Sequence, residues 1–300
     1  MTFAGVYNIM ATPFNEQGAL DLASLRTLVD FQIAAGADGL TILGIMGEAH
    51  KLVDEERLAV LETVIDQVAG RCPVVVGASA GGPDAAVWLA RKAEAAGAAG
   101  VMCAPPTNLR NLDAVLSYYR AIAGAVSIPI VVQDEPVQTG VQLPAAFLAR
   151  LCNELPGCAA IKLEDAPTPP KITRVRALLR QETPIFGGLG GAQFYYELRR
   201  GASGTMTGFA FTEVLVAIQR RHTTGDDEGA RRLYFRYLPL LSYEAQPQIG
   251  LALRKELLRR RGAIACAAVR QPAMRLDDHA LAELEQILAE VNLDGGNVRI

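Results

Sequence analysis

The sequence predicts an α/β fold, a (β/α)8 TIM barrel with a C-terminal helical extension, and three observations carry that prediction. Short apolar runs alternate with helical patterns eight times within about 210 residues, and such alternation builds a parallel sheet that closes into a barrel. A helix-to-strand joint, Gly-Ala-x-Gly followed by apolar residues, recurs in "AAGADGLTILG" from Ala34, "AAGAAGVMCAPP" from Ala95 and "RRGASGTMTG" from Arg199. Glycine ends a helix in a left-handed conformation, and the short apolar run after it marks a strand buried on both faces. No Gly-x-Gly-x-x-Gly follows the first strand, which leaves an open doubly wound sheet as the weaker alternative.

The first strand is read in "GVYNIMATPF" (5–14), and the helix "DLASLRTLVDFQIAA" follows it with apolar residues three and four apart. The first joint supplies strand two, and "DEERLAVLETVIDQVAG" the helix behind it. Strand three is "PVVVGAS" (73–79), followed by "DAAVWLARKAEAA" and the second joint as strand four. Strands five, six and seven are "PIVVQDEP" (129–136), "CAAIKLED" (158–165) and "PIFGGLG" (184–190), and the third joint is strand eight. These elements make residues 1–210 the barrel and catalytic domain. Strand signals then stop. Four helical patterns, "TEVLVAIQRRHTTG", "DEGARRLYFRYLPLLSYEAQ", "IGLALRKELLRRRG" and "DDHALAELEQILAEV", make 211–293 an extension packed outside the barrel or at a subunit contact. The last stretch, "DGGNVRI" (294–300), reads as a disordered tail.

A net charge of -3 and the lack of a Lys/Arg cluster interleaved with aromatics argue against nucleic acid as a partner. The first residues, "MTFAGVYNIMATPF", have neither a basic segment nor a long apolar run, so neither a signal peptide nor a membrane partner is expected. The five cysteines are scattered without a Cys-x-x-Cys pair, consistent with a reducing cytoplasm. His50, His222 and His279 are far apart, and no motif calls for a metal or another cofactor. A small molecule is the expected partner.

Active sites of such barrels lie at the carboxyl ends of the strands. Of the eight strand ends, only Lys162–Asp165 contains a lysine, in a chain where five of the 29 basic residues are lysine. An amine can lose its proton and attack a carbonyl, which a guanidinium cannot. Inside an apolar strand Lys162 is expected to be desolvated and tuned toward Schiff-base chemistry, the bland alternative being a pair with Glu164 or Asp165. Glu164 lies on the same strand face, expected about 6.5 Å nearer the mouth, as a candidate proton carrier. The turn "LGIMGEAHKL" (43–52) offers backbone N–H groups for a carboxylate, and Ser79, Thr205 and Thr207 offer hydroxyls for sugar oxygens.

Taken together, "ATPF" (11–14), "GIMGE" (44–48), "PIVVQDEP" (129–136) and "AIK" (160–162) resemble the dihydrodipicolinate synthase/N-acetylneuraminate lyase family, from about Gly5 through the extension. The resemblance implies that Lys162 forms an imine with a 2-keto acid and that the backbone at Ile45 and Met46 holds its carboxylate. It also implies that Gly188 and Met206 line the keto-acid pocket and that the assembly is a homotetramer, a dimer of dimers.

The departures from the family pattern redirect the reaction. Ile45 and Met46 replace the two loop hydroxyls, Gln133 replaces the strand-five tyrosine, Gln138 stands for the arginine that holds aspartate semialdehyde, and Thr107 for a tyrosine lent by a neighbouring subunit. Dihydrodipicolinate synthase activity is therefore not expected. Gln133-Asp134 before Pro136, with "YLPLLSYEAQPQIGLALRKEL" (237–257), is similar to the branch containing L-2-keto-3-deoxyarabonate dehydratase. The expected reaction is dehydration of a 2-keto-3-deoxy sugar acid, with Gln133 orienting the imine or the leaving group. The alternatives are a pyruvate-dependent aldolase or synthase and a non-catalytic keto-acid binder.

Overall fold

Each expected strand forms, but shorter than the run that marks it. In the computed structural model, which describes residues 3–107 and 109–293, the strands are β1 (Gly5–Ile9), β2 (Gly39–Ile42), β3 (Val74–Gly77), β4 (Gly100–Cys103), β5 (Ile130–Asp134), β6 (Cys158–Leu163), β7 (Ile185–Gly187) and β8 (Gly204–Thr207). All pair in parallel in sequence order, and β8 closes the barrel on β1 with Val6 opposite Thr205. The three Gly-Ala-x-Gly joints become β2, β4 and β8. Strand β1 ends at Ile9, the Met10 N–H still donates to the Thr41 carbonyl of β2, and beyond Pro13 Phe14 bridges back to Leu20.

Alternation along the strands sorts side chains into two layers. Tyr7, Val75, Met102, Val131, Ala160, Phe186 and Met206 fill the barrel, with Tyr7 meeting Phe186 edge-on at 5.5 Å. Their neighbours in sequence face outward and form a larger core with the helices.

Those helices are α1 (Leu22–Ala34), α2 (Asp54–Val68), α3 (Pro83–Ala95), α4 (Leu112–Ala123), the short α5 (Pro136–Thr139), α6 (Ala145–Glu154), α7 (Thr168–Arg176) and α8 (Phe194–Leu198). Four more follow: α9 (Thr212–Thr223), α10 (Asp227–Glu244), α11 (Gly250–Arg260) and α12 (Asp278–Glu290). Helix α9 packs against β1, so the first helix of the extension serves as the barrel's last outer helix. Helix α10 runs through Pro239 without ending, anchored on either side by buried Tyr237, Leu240 and Leu241. Residues 294–300 lie outside the described residues. Among the described residues no helix is long and apolar enough to cross a membrane.

One buried acid links the fold to pH. Glu197 of α8 sits behind Gly187 of β7, where a Cβ would collide with the carboxyl. Its Oε1 accepts the Thr168 hydroxyl at 2.6 Å, and among the described residues its Oε2 has no partner. Burial pushes its pKa to about 8. The folded state therefore keeps a proton that the unfolded chain has already lost, and stability falls as pH rises from the ordinary carboxyl range toward 8. Glu197→Gln should melt with the wild type at pH 5 and several degrees above it at pH 9 in thermal scans.

Candidate active site

The barrel's inner layer carries the first two site residues. Two positions beyond Val131 and Ala160, alternation turns Gln133 and Lys162 inward, and the β5–β6 register sets them side by side. Both are 3 % exposed. Lys162 Nζ lies 2.8 Å from Glu164 Oε2, and Gln133 Nε2 donates to the same oxygen at 2.9 Å. The other oxygen of Glu164 accepts the Leu189 N–H at 3.4 Å.

Glu164 is not displaced toward the mouth as strand geometry alone suggests. Strand β6 ends at Leu163, and the carboxylate folds back onto the lysine it was expected to overhang. Gly188 makes that return possible, since a Cβ there would lie 2.4 Å from Glu164 Oε1. The outcome is a buried amine with a carboxylate in hydrogen-bond contact, an arrangement in which the proton that blocks nucleophilic attack has an immediate acceptor.

Beyond β2 the chain makes two 3-10 turns, Ile45–Gly47 and Ala49–Lys51, with Leu43 and Glu48 at φ near +55°. Left-handed non-glycine residues carry a cost of roughly 1–3 kcal/mol each and need support from their surroundings. Glu48 provides it. The carboxylate is fully buried and receives Lys255 Nζ at 2.6 Å, Lys51 Nζ at 3.0 Å and the Arg270 N–H at 3.0 Å. Burial holds the Lys255 amine below its usual range, against the pull of Glu48. Below the turn, Thr12 donates its hydroxyl to the Gly47 carbonyl at 2.6 Å.

These elements surround a cavity of about 770 Å3 at the carboxyl ends of the strands. Lys162, Gln133, Glu164, Ile45, Met46 and Met206 all line it. Gly188 abuts Glu164 from behind the lining. Ser79 lies apart: it is exposed, and its hydroxyl accepts the Ala104 N–H at 2.9 Å. Thr207 reaches the cavity, whereas Thr205 alternates with inward-facing Met206 and points away. His50 and Lys51 complete the side below the loop, and burial lowers the histidine's pKa.

Sequence reasoning missed one wall and two buried lysines. The wall is the α10–α11 junction, which brings Glu244, Gln246, Gln248 and Arg254 over the cavity. The lysines are Lys171, paired with Asp134 at 2.6 Å and Asp165 at 2.8 Å, and Lys255, paired with Glu48. Burial raises Asp134 to about 6 despite Lys171 beside it. Burial of a lysine is thus not distinctive in this chain, and position in the cavity is what sets Lys162 apart from these two. The helical run "LALRKELL" carried the same signal, basic residues inside an apolar pattern.

A second cavity, about 830 Å3, lies between the 16–18 turn and the 266–276 segment. Its lining includes Glu256, Cys266 and Arg270, and it does not include Lys162.

The model of the dihydrodipicolinate synthetase family matches residues 2–291. An L-2-keto-3-deoxyarabonate dehydratase of Azospirillum brasilense is 35 % identical over 289 residues, 93 % of this chain and 92 % of that protein. A 4-hydroxy-tetrahydrodipicolinate synthase of Bacillus subtilis is 28 % identical over 97 % of this chain and all of its own. Among solved structures, a dihydrodipicolinate synthase from Rhodopseudomonas palustris superposes with a TM-score of 0.92 at 37 % identity, covering 97 % of this chain and 99 % of its own.

Proposed function

The chain belongs to the dihydrodipicolinate synthetase family, whose members are lyases acting on small keto acids, and from that premise we propose that it dehydrates a 2-keto-3-deoxy sugar acid through an imine on Lys162. The observation carrying this reading is the Lys162–Glu164 contact at 2.8 Å inside the cavity.

Glu164 takes a proton from the Lys162 ammonium, and the free amine attacks the C2 carbonyl. Glu164 gives its proton to the carbinolamine hydroxyl, which leaves as water, and the resulting protonated imine acidifies C3. Glu164, a carboxylate again, removes a C3 proton to form the enamine, whose electrons expel the C4 hydroxyl, and Glu164 passes that same proton to the hydroxyl, which leaves as water. Hydrolysis of the remaining imine restores Lys162, so the net change is loss of one water. Gln133, donating to Glu164, positions the proton carrier and blocks its rotation away from the amine.

The dehydratase is favoured over a synthase by Gln138, a neutral side chain on the cavity wall where the family pattern has an arginine. An aldolase would use the same imine but break the C3–C4 bond. Product analysis by NMR with L-2-keto-3-deoxyarabonate separates the two. A dehydrated keto acid without pyruvate is expected, whereas stoichiometric pyruvate would replace the dehydratase reading with the aldolase, and binding without turnover would favour a non-catalytic protein.

A further inference from the structure

Two residues beyond the Gln133–Lys162 pair, the mouth ends of β5 and β6 carry Glu135 and Glu164. Glu164 turns back to the amine. Glu135 therefore stands alone at the next level, on the face of β5 that Gln133 shares and about 6.5 Å nearer the mouth. It is 7 % exposed and lines the cavity. As the N-cap of α5 its Oε2 accepts the Gln138 N–H at 2.5 Å, and among the described residues no donor meets Oε1. Burial raises its pKa against the pull of that N–H, and the charge of Glu164 adds to the rise. A largely buried carboxylate oxygen without a donor is costly, and a hydroxyl on a ligand is a group that satisfies it.

Charge around the cavity is uneven. Lys162 lies on Glu164 and Arg254 on Glu244, one cation to one carboxylate. On the β2 side Lys51 and Lys255 share Glu48, two ammonium groups to one carboxylate. Glu135, three strands round the barrel, has no cation within ion-pair distance among the described residues. The cavity thus has a positive end beside the Ile45–Met46 turn and a negative end above Gln133. A molecule with one carboxylate and a hydroxylated tail matches that polarity, whereas the second carboxylate of a keto diacid would meet the like charge of Glu135.

We propose that Glu135 is a specificity-determining residue, whose Oε1 accepts a hydrogen bond from a hydroxyl on the distal carbons of a 2-keto acid held at Lys162. The substrate carboxylate then lies toward the Glu48–Lys51–Lys255 group and the tail toward β5. This rests on the imine reading and deepens it, by selecting hydroxylated mono-carboxylates over keto diacids of the same length.

The test is the concentration dependence of borohydride trapping at pH 8 in wild type and Glu135→Gln, with pyruvate, L-2-keto-3-deoxyarabonate and 2-oxoglutarate as probes. The substitution keeps the side chain's shape and an oxygen for the Gln138 N–H, and it removes the charge. The sugar-acid midpoint should rise about fivefold or more, the difference between a hydrogen bond to a charged and to a neutral acceptor. The pyruvate midpoint, with no tail to contact Glu135, should stay within about twofold. The 2-oxoglutarate midpoint should fall, a gain that a merely structural role for Glu135 does not produce. An unchanged midpoint for the sugar acid or for 2-oxoglutarate, or a common shift for all three probes, overturns the assignment and leaves the imine reading standing. No trapped adduct with any probe in the wild type overturns both together.

Discussion

Lys162→Ala is expected to leave no borohydride-stable keto-acid adduct and to lower turnover to below about 10⁻⁴ of the wild-type rate, the scale on which loss of a covalent nucleophile is felt. The variant should still fold. Glu164, deprived of the amine, keeps the Gln133 amide and the Leu189 N–H as donors, so its carboxylate is not stranded. Lys162→Arg should be equally inactive, since it restores the charge next to Glu164 but supplies no amine that can attack a carbonyl. Steady-state kinetics with the substrate identified by product analysis, together with circular dichroism to establish folding, check both. Activity within tenfold of wild type in either variant would remove Lys162 from the reaction.

The largest expected effect on stability lies elsewhere, at Lys255. Breaking a buried ion pair by removing one partner costs about 3–5 kcal/mol, because the remaining charge stays buried. Lys255→Met leaves Glu48 with Lys51 and the Arg270 N–H, which places the loss near the lower end of that range. It also removes the α11 anchor from a loop whose Leu43 and Glu48 are held in left-handed backbone, so keto-acid affinity should fall with stability. Glu48→Gln/Lys255→Met, which leaves no buried carboxylate unpaired and strands only the partly exposed Lys51 on the Arg270 carbonyl, should regain part of the lost stability. Urea unfolding at constant slope measures both. A single variant within about 1 kcal/mol of wild type would show that the pair does not brace the loop.

The sequence signals that worked are local ones. The Gly-Ala-x-Gly joints located β2, β4 and β8 because helix termination and the start of a buried strand are decided within a few residues. The strand-end rule picked out Lys162 and the family resemblance picked out Gln133, and both line the cavity. Strand alternation separates Met206, which faces inward, from Thr205, which does not. Ser79 is a miss of another kind: two residues past the end of β3, its hydroxyl is occupied by the neighbouring Ala104 N–H. What no local pattern revealed is the roof. Lys255 reaches Glu48 across 207 positions, and Arg254 comes to rest beside Gly208 because α10 and α11 fold back over the strand ends. Such contacts depend on how the extension packs against a barrel already formed. The return of Glu164 to Lys162 depended likewise on Gly188, a residue from the adjacent strand end whose significance lies in the side chain it lacks.

Two lysines line the cavity, Lys162 and Lys51, and Lys51 is already bound to Glu48 and the Arg270 carbonyl. The most direct test of the account is therefore to reduce the wild-type protein with borohydride in the presence of pyruvate, digest it, and locate the modified residue by tandem mass spectrometry. A single modified peptide with the added mass on Lys162 is expected. Modification on Lys51, or an unmodified protein after exposure to pyruvate and to the sugar acid alike, would contradict it.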